Sequence, residues 1–363
     1  MAFNGIYPAA PLMHTIFGIF SAARVTTDTS RAYDERWVRG FNFEFDSRPT
    51  LRLLEDAGSA VHTMFNGAGL SQFIYVKPFF IEVEDARSTF GLTGEDRFAR
   101  VLRQIEAATQ KAVERELENG YVRRTDGTTT QYLTDASSLS YASSTPGTAV
   151  SSVRGISLLE HSLSSCPIGE QGVLHITRDV AVTIGTTYLN RAEATDDCPC
   201  HLQTPNGTPV SVGSGYSGNG PAVTVTNKAL TSNEVTLTTS AAHYISVGES
   251  ILVSDLGSPF DGTYTAKAGT TGTTVKYDKT ATNVASTADA GYVQMQGSST
   301  VKWLYATGCV DVLVGKADVV NDTVGHGYDV SGNQNDMKIK AIRPVAVYFD
   351  PAMHYAVKVD LTA

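Results

Sequence analysis

An α+β chain built from more than one module is the fold class this sequence predicts, and three observations predict it. One amphipathic helix of about 25 residues runs from the capping pattern Thr93-Gly94-Glu95-Asp96 to a stop at Asn119-Gly120. Helical and strand-like periods alternate from Ala149 to Val212. From Val223 to Val293 the composition shifts to 15 Thr and no Arg in 71 residues, in short strand-like pieces separated by turns. At 363 residues the chain exceeds one average domain, and 42% hydrophobic residues leave enough apolar surface for real cores.

The first 23 residues carry no formally charged side chain. No basic region opens them, Pro8 and Pro11 interrupt any helix, and the apolar run is too short to span a bilayer. Residues 1–40 therefore read as an extended arm. Gly40 to Phe45 and Gln72 to Val76 are strand-like, with further apolar pieces at Leu51–Leu54 and Val61–Phe65. The turn signal Asn66-Gly67-Ala-Gly69 suggests a projecting hairpin over 41–77, with Asn66, Gly67 and Gly69 at its tip.

Pro78 to Asp85 is a half-solvated strand on which Glu82 and Glu84 share one face. In the long helix, Phe98, Val101, Leu102, Ile105, Val113 and Leu117 recur three and four apart and predict the packing face. Arg100, Arg103, Glu106, Lys111, Glu114, Arg115 and Glu118 fill the other face and are expected in water. Arg123–Thr130 and Ser137–Thr148 are polar and loop-like. Ala149–Leu163 reads as a helix with Val153, Ile156, Leu159 and Leu163 on one side. Gly172–Ile176 reads as a buried strand, followed by a helix through Val180 and Ile184. Cys200–Val212 is a hairpin about Pro205-Asn-Gly207. Six strands are expected in the Thr-rich segment, forming a small sandwich or barrel.

With 37 acidic against 28 basic residues, and no basic run beyond Arg123-Arg124, the chain lacks the basic stripe of a nucleic-acid reader. Four cysteines are too few and too scattered for a disulfide framework. Cys198-Pro-Cys-His201 offers zinc-type donors, but the Cys-x-Cys spacing is tighter than usual and no second pair follows. Gly213-Ser-Gly-Tyr-Ser-Gly218 lacks the closing glycine and following helix of a nucleophile elbow, so it reads as a turn. No phosphate loop, dinucleotide fingerprint or His-Glu-x-x-His occurs, and neither a cofactor, a metal nor an enzymatic activity is expected.

The run Pro78-Phe-Phe-Ile-Glu-Val-Glu-Asp85, the helix Phe98–Leu117 and its Gly120 terminator resemble the spine-helix region of major capsid proteins of tailed bacteriophages, and more distantly encapsulin shell proteins. Trp303–Gly308, Ile342–Asp350 and His354–Asp360 resemble the closing strands of capsid proteins from phages of actinobacterial hosts. The resemblance implies the Hong Kong 97 capsid fold: N-terminal arm 1–40, extended loop 41–77, peripheral domain 78–148, axial domain 149–222, and closing strands 297–363. Residues 223–296 resemble the immunoglobulin-like modules of phage virion proteins, without a cysteine pair or tryptophan. The implied role is structural. Pentamers and hexamers would form an icosahedral shell around packaged double-stranded DNA, made in the host cytoplasm and meeting portal, scaffold or decoration proteins but no membrane. An encapsulin-like compartment and a tail or baseplate protein are the alternatives.

Overall fold

A computed structural model describes residues 18–28, 37, 41–45, 52–54, 60–63, 72–85, 94–120, 132–164, 172–191, 202–322 and 338–363. The 12-residue strand Lys338–Phe349 is the axis of a five-stranded sheet. Its first half lies between Phe79–Asp85 and Asp318–Asp322, both antiparallel, with Ile81 opposite Arg343. Its second half pairs with Val310–Gly315, whose far edge takes Arg24–Asp28 in parallel. Part of the predicted arm thus packs on the chain's own body.

The long helix, Gly94–Asn119, rests on this sheet with Val101, Ile105, Val113 and Leu117 fully buried and Phe98 partly so. Leu102 is a correction: it is 38% exposed, because it lies a step of about 100° round from the buried stripe. From the sheet, Arg343 reaches Glu106 Oε2 (2.8 Å) and Thr109 Oγ1 (3.1 Å). Gly120 ends the helix at φ +58°, a conformation that favours glycine.

An eight-stranded mixed sheet follows the order 190–191, 202–203, 209–213, 173–177, 301–307, 354–360, with 140–141 and 150–151 both beside the last. Strands 173–177 and 209–213 are parallel. The helices Ser152–Leu163 and Arg178–Tyr188 bury Ile156, Leu159, Leu163, Val180 and Ile184 against Leu174, Ile176, Leu304 and Val357. The first of them begins at Ser152, since Val150–Ser151 joins the sheet, and Val153 is exposed instead of buried.

The Thr-rich segment forms its own antiparallel sheet of seven strands: 223–231, 234–239, 250–254, 262–265, 274–278, 284–288 and 292–295. The strand Val284–Ala288 has no counterpart among the six expected. Ser232 and Asn233, at φ +52° and +65°, make the tight turn between the first two strands. Numbered within the module, the strand order is 4-3-7-1-2-5, with strand 6 also beside strand 1. An immunoglobulin sandwich would put strand 3 beside strand 6 in a separate sheet. The all-β module is present and the immunoglobulin order is not, because strand 1 bridges both halves.

Two separate ladders occupy the predicted hairpin: 41–45 with 72–76, and 52–54 with 60–63. The chain therefore reverses between Leu54 and Ala60. Asn66, Gly67 and Gly69 lie outside the described residues. At the hairpin base, Val76 is buried with Trp37, Ala346 and Tyr348.

Candidate functional site

The most constrained polar region is the junction where the last turns of the long helix meet the glycine-rich loop 213–220. Glu114 and Glu118, expected in water, are buried here. Glu114 accepts hydrogen bonds from Gly215 N (2.8 Å), Gln110 Nε2 (3.0 Å) and Ile19 N (3.2 Å), the last tying in the short helix Ile19–Ala22. Glu118 accepts from the consecutive amides of Gly218 (2.8 Å), Ser217 (2.9 Å) and Asn219 (3.1 Å), a backbone nest of the kind that holds anions. Gly215 permits the approach, since a Cβ there would lie 2.6 Å from the Lys111 carbonyl oxygen. Burial pushes the Glu118 carboxyl up from its ordinary value, and the three amides and Asn119 pull it part of the way back.

Two buried histidines flank this junction from strands on either side of 301–307. His175 has Thr307 Oγ1 at Nε2 (2.9 Å) and the Tyr216 hydroxyl at Nδ1 (3.2 Å). Thr307 gives its own proton to the Gly308 carbonyl, so Nε2 donates and the neutral ring accepts from Tyr216 at Nδ1. His354 donates from Nε2 to the Leu133 carbonyl (3.0 Å) and accepts at Nδ1 from Ser138 (3.1 Å). Burial holds the two rings down, to about 3 for His175, helped by the neighbouring His354, and to about 4 for His354.

Because both folded-state values lie below the unfolded histidine value near 6.5, the stabilisation is present above that pH and is lost as pH falls towards 4. Burial also raises the Glu118 and Asp135 carboxyls, which acts in the opposite sense and offsets part of the loss near the bottom of the range. Stability from urea unfolding is expected to drop by about 2–4 kcal/mol between pH 7 and pH 5. Equal midpoints at the two pH values would contradict the neutral, buried assignment.

The other sequence candidates are dispersed. Glu82 and Glu84 both face Lys340, at 3.1 and 3.7 Å, on the sheet side away from the long helix. Ser217 of the glycine-rich run contributes its amide to Glu118, consistent with a turn. Cys166, Cys198, Cys200 and His201 lie outside the described residues. Among the described residues no group of three or more His, Cys, Asp or Glu is arranged to hold a metal, and no helix is long and apolar enough to cross a membrane. Asp311 receives Arg24 from the N-terminal strand and the Tyr348 hydroxyl, clamping that strand to the sheet. Binary patterning does not reveal the Glu114–Glu118 junction. One signal was available: acidic residues near the helix C-terminus oppose the helix dipole, and the last turn carries no basic residue.

No family model and no curated protein matches the chain. Among solved structures, the chain is similar to the capsid of a native GTA particle computed with C5 symmetry, at 10% identity and TM-score 0.43, covering 99% of this chain and 98% of that one. It is similar to the holo-SrpI encapsulin complex from Synechococcus elongatus PCC 7942, at 9% identity and TM-score 0.41, covering 97% and 91%. A third likeness is to a structure from Microbacterium phage Oxtober96, at 9% identity and TM-score 0.41, covering 94% and 90%. At these identities and scores the likenesses assign neither fold nor activity.

Proposed function

We propose that this chain is the major capsid protein of a tailed bacteriophage, a Hong Kong 97-type shell subunit that self-associates through pentamers and hexamers around double-stranded DNA. The observation that carries the reading is the hairpin. Its two ladders, 41–45 with 72–76 and 52–54 with 60–63, pair with no further strand among the described residues. A two-stranded ribbon is marginal in water and needs a surface to cover it, and a neighbouring copy supplies one. The N-terminal strand Arg24–Asp28 adds support, since its first four residues are exposed although it is bonded along one edge. The sequence resemblance over 78–120 and 303–360 names the family. A net charge of -9 suits an inner wall that encloses DNA without gripping it. In this reading the Thr-rich module, residues 223–296, is an insertion in the axial domain, and the protein is made in the host cytoplasm and resides in the virion.

Replacing residues 46–71 by an Asn-Gly turn keeps the inner ladder and removes the outer one. The variant is expected to stay folded by circular dichroism and to lose assembly in light scattering. Assembly at the wild-type level would show that the outer ladder makes no essential contact between copies, and failure to fold would show that it serves the chain's own core.

A further inference from the structure

We infer that the Thr-rich module is locked in one orientation on the mixed sheet, so that the long helix, the sheet and the module move as a single body. This goes beyond the shell reading and does not depend on it. The two chain crossings lie side by side: Gly220 N donates to Met295 O (2.8 Å) and Gly297 N to Asn219 Oδ1 (3.1 Å). Asn219 belongs to the amide nest on Glu118, so the root of the module is tied to the long helix. Adjacent crossings alone would still act as a hinge.

A third contact removes that freedom. The loop 240–249 of the module folds down onto the body, where Lys358 Nζ meets Glu249 Oε1 at 2.6 Å and the Tyr244 carbonyl at 3.1 Å. Lys358 is 2% exposed and Glu249 17%, so swinging the module away would strand a buried ammonium without its partners. Beside the pair, Tyr244 packs edge-on to Tyr141 with ring centroids 4.8 Å apart, and Tyr141 in turn packs on the buried Trp303 at 6.0 Å. Through these rings the core of the module is continuous with that of the body. Tyr244 adopts φ +52°, an uncommon conformation for a tyrosine, as it reaches this contact.

The test is pulsed dipolar spectroscopy on the full chain. Nitroxide amino acids replace exposed Arg103 on the helix and Thr287 on the module, and labelled chain is diluted with unlabelled. The wild type is expected to give one narrow distance. Lys358→Met is expected to broaden it severalfold, while amide exchange protection of the module strands stays unchanged. A broad wild-type distribution, a narrow one in the variant, or loss of module protection would each overturn the inference. If Lys358→Met does not fold, Glu249→Gln, which keeps the shape and removes the charge, carries the test with the same outcomes.

Discussion

Ile105→Asp is expected to abolish soluble protein. Ile105 is fully buried between the long helix and the five-stranded sheet, in the same stripe as Val101, Val113 and Leu117. Deleting its aliphatic volume costs about 2–5 kcal/mol, and burying a carboxylate in this apolar stripe adds several more. The sum matches or exceeds the whole stability of a typical domain, roughly 5–15 kcal/mol. Arg343, on the facing sheet, already has both terminal nitrogens of its guanidinium engaged by Glu106 and Thr109, leaving only its Nε without a partner. Arg103→Ala, two residues away on the exposed face, should change stability by less than about 0.5 kcal/mol. Comparable losses from the two substitutions, measured as soluble yield and urea midpoint, would place the buried face elsewhere.

Glu118→Leu should come next in severity. The side chain fits the volume but leaves the amides of Ser217, Gly218 and Asn219 buried without their acceptor, at about 1–3 kcal/mol for each unpaired group. A loss of about 3–6 kcal/mol is expected. Glu118→Gln retains one acceptor oxygen and should lose about half as much. The readout is urea unfolding of both variants. A Leu variant as stable as the Gln variant would mean that the loop finds other partners and that the nest does not hold the helix end.

The long helix was legible in the sequence because its stop signal and its apolar period agree, and the helix runs from Gly94 to Asn119 with Gly120 as its stop. What remained hidden depends on distant partners. A heptad-like pattern assigns Glu114 and Glu118 to water because it cannot see the backbone amides of the loop 213–220, about 100 residues later, that donate to them. Leu102 and Val153 show the opposite error: each has the right spacing, yet the covering sheet is narrower than the apolar stripe. In the hairpin, Leu51–Leu54 and Val61–Phe65 read only as separate apolar pieces, and their pairing as the ladder 52–54 with 60–63 depends on which strands find partners. The module's sixth strand, Val284–Ala288, was missed because four of its five residues are exposed and carry little hydrophobic alternation. Its non-immunoglobulin strand order is long-range information that turn spacing does not contain.

Electron microscopy of the purified full-length chain tests the central claim most directly. On the proposed shell reading, closed shells or at the least rings of five and six subunits are expected, with the hairpin ribbon and the exposed N-terminal strand covered by neighbouring copies. A uniform field of single subunits, with light scattering at high concentration reporting a monodisperse monomer, would contradict it.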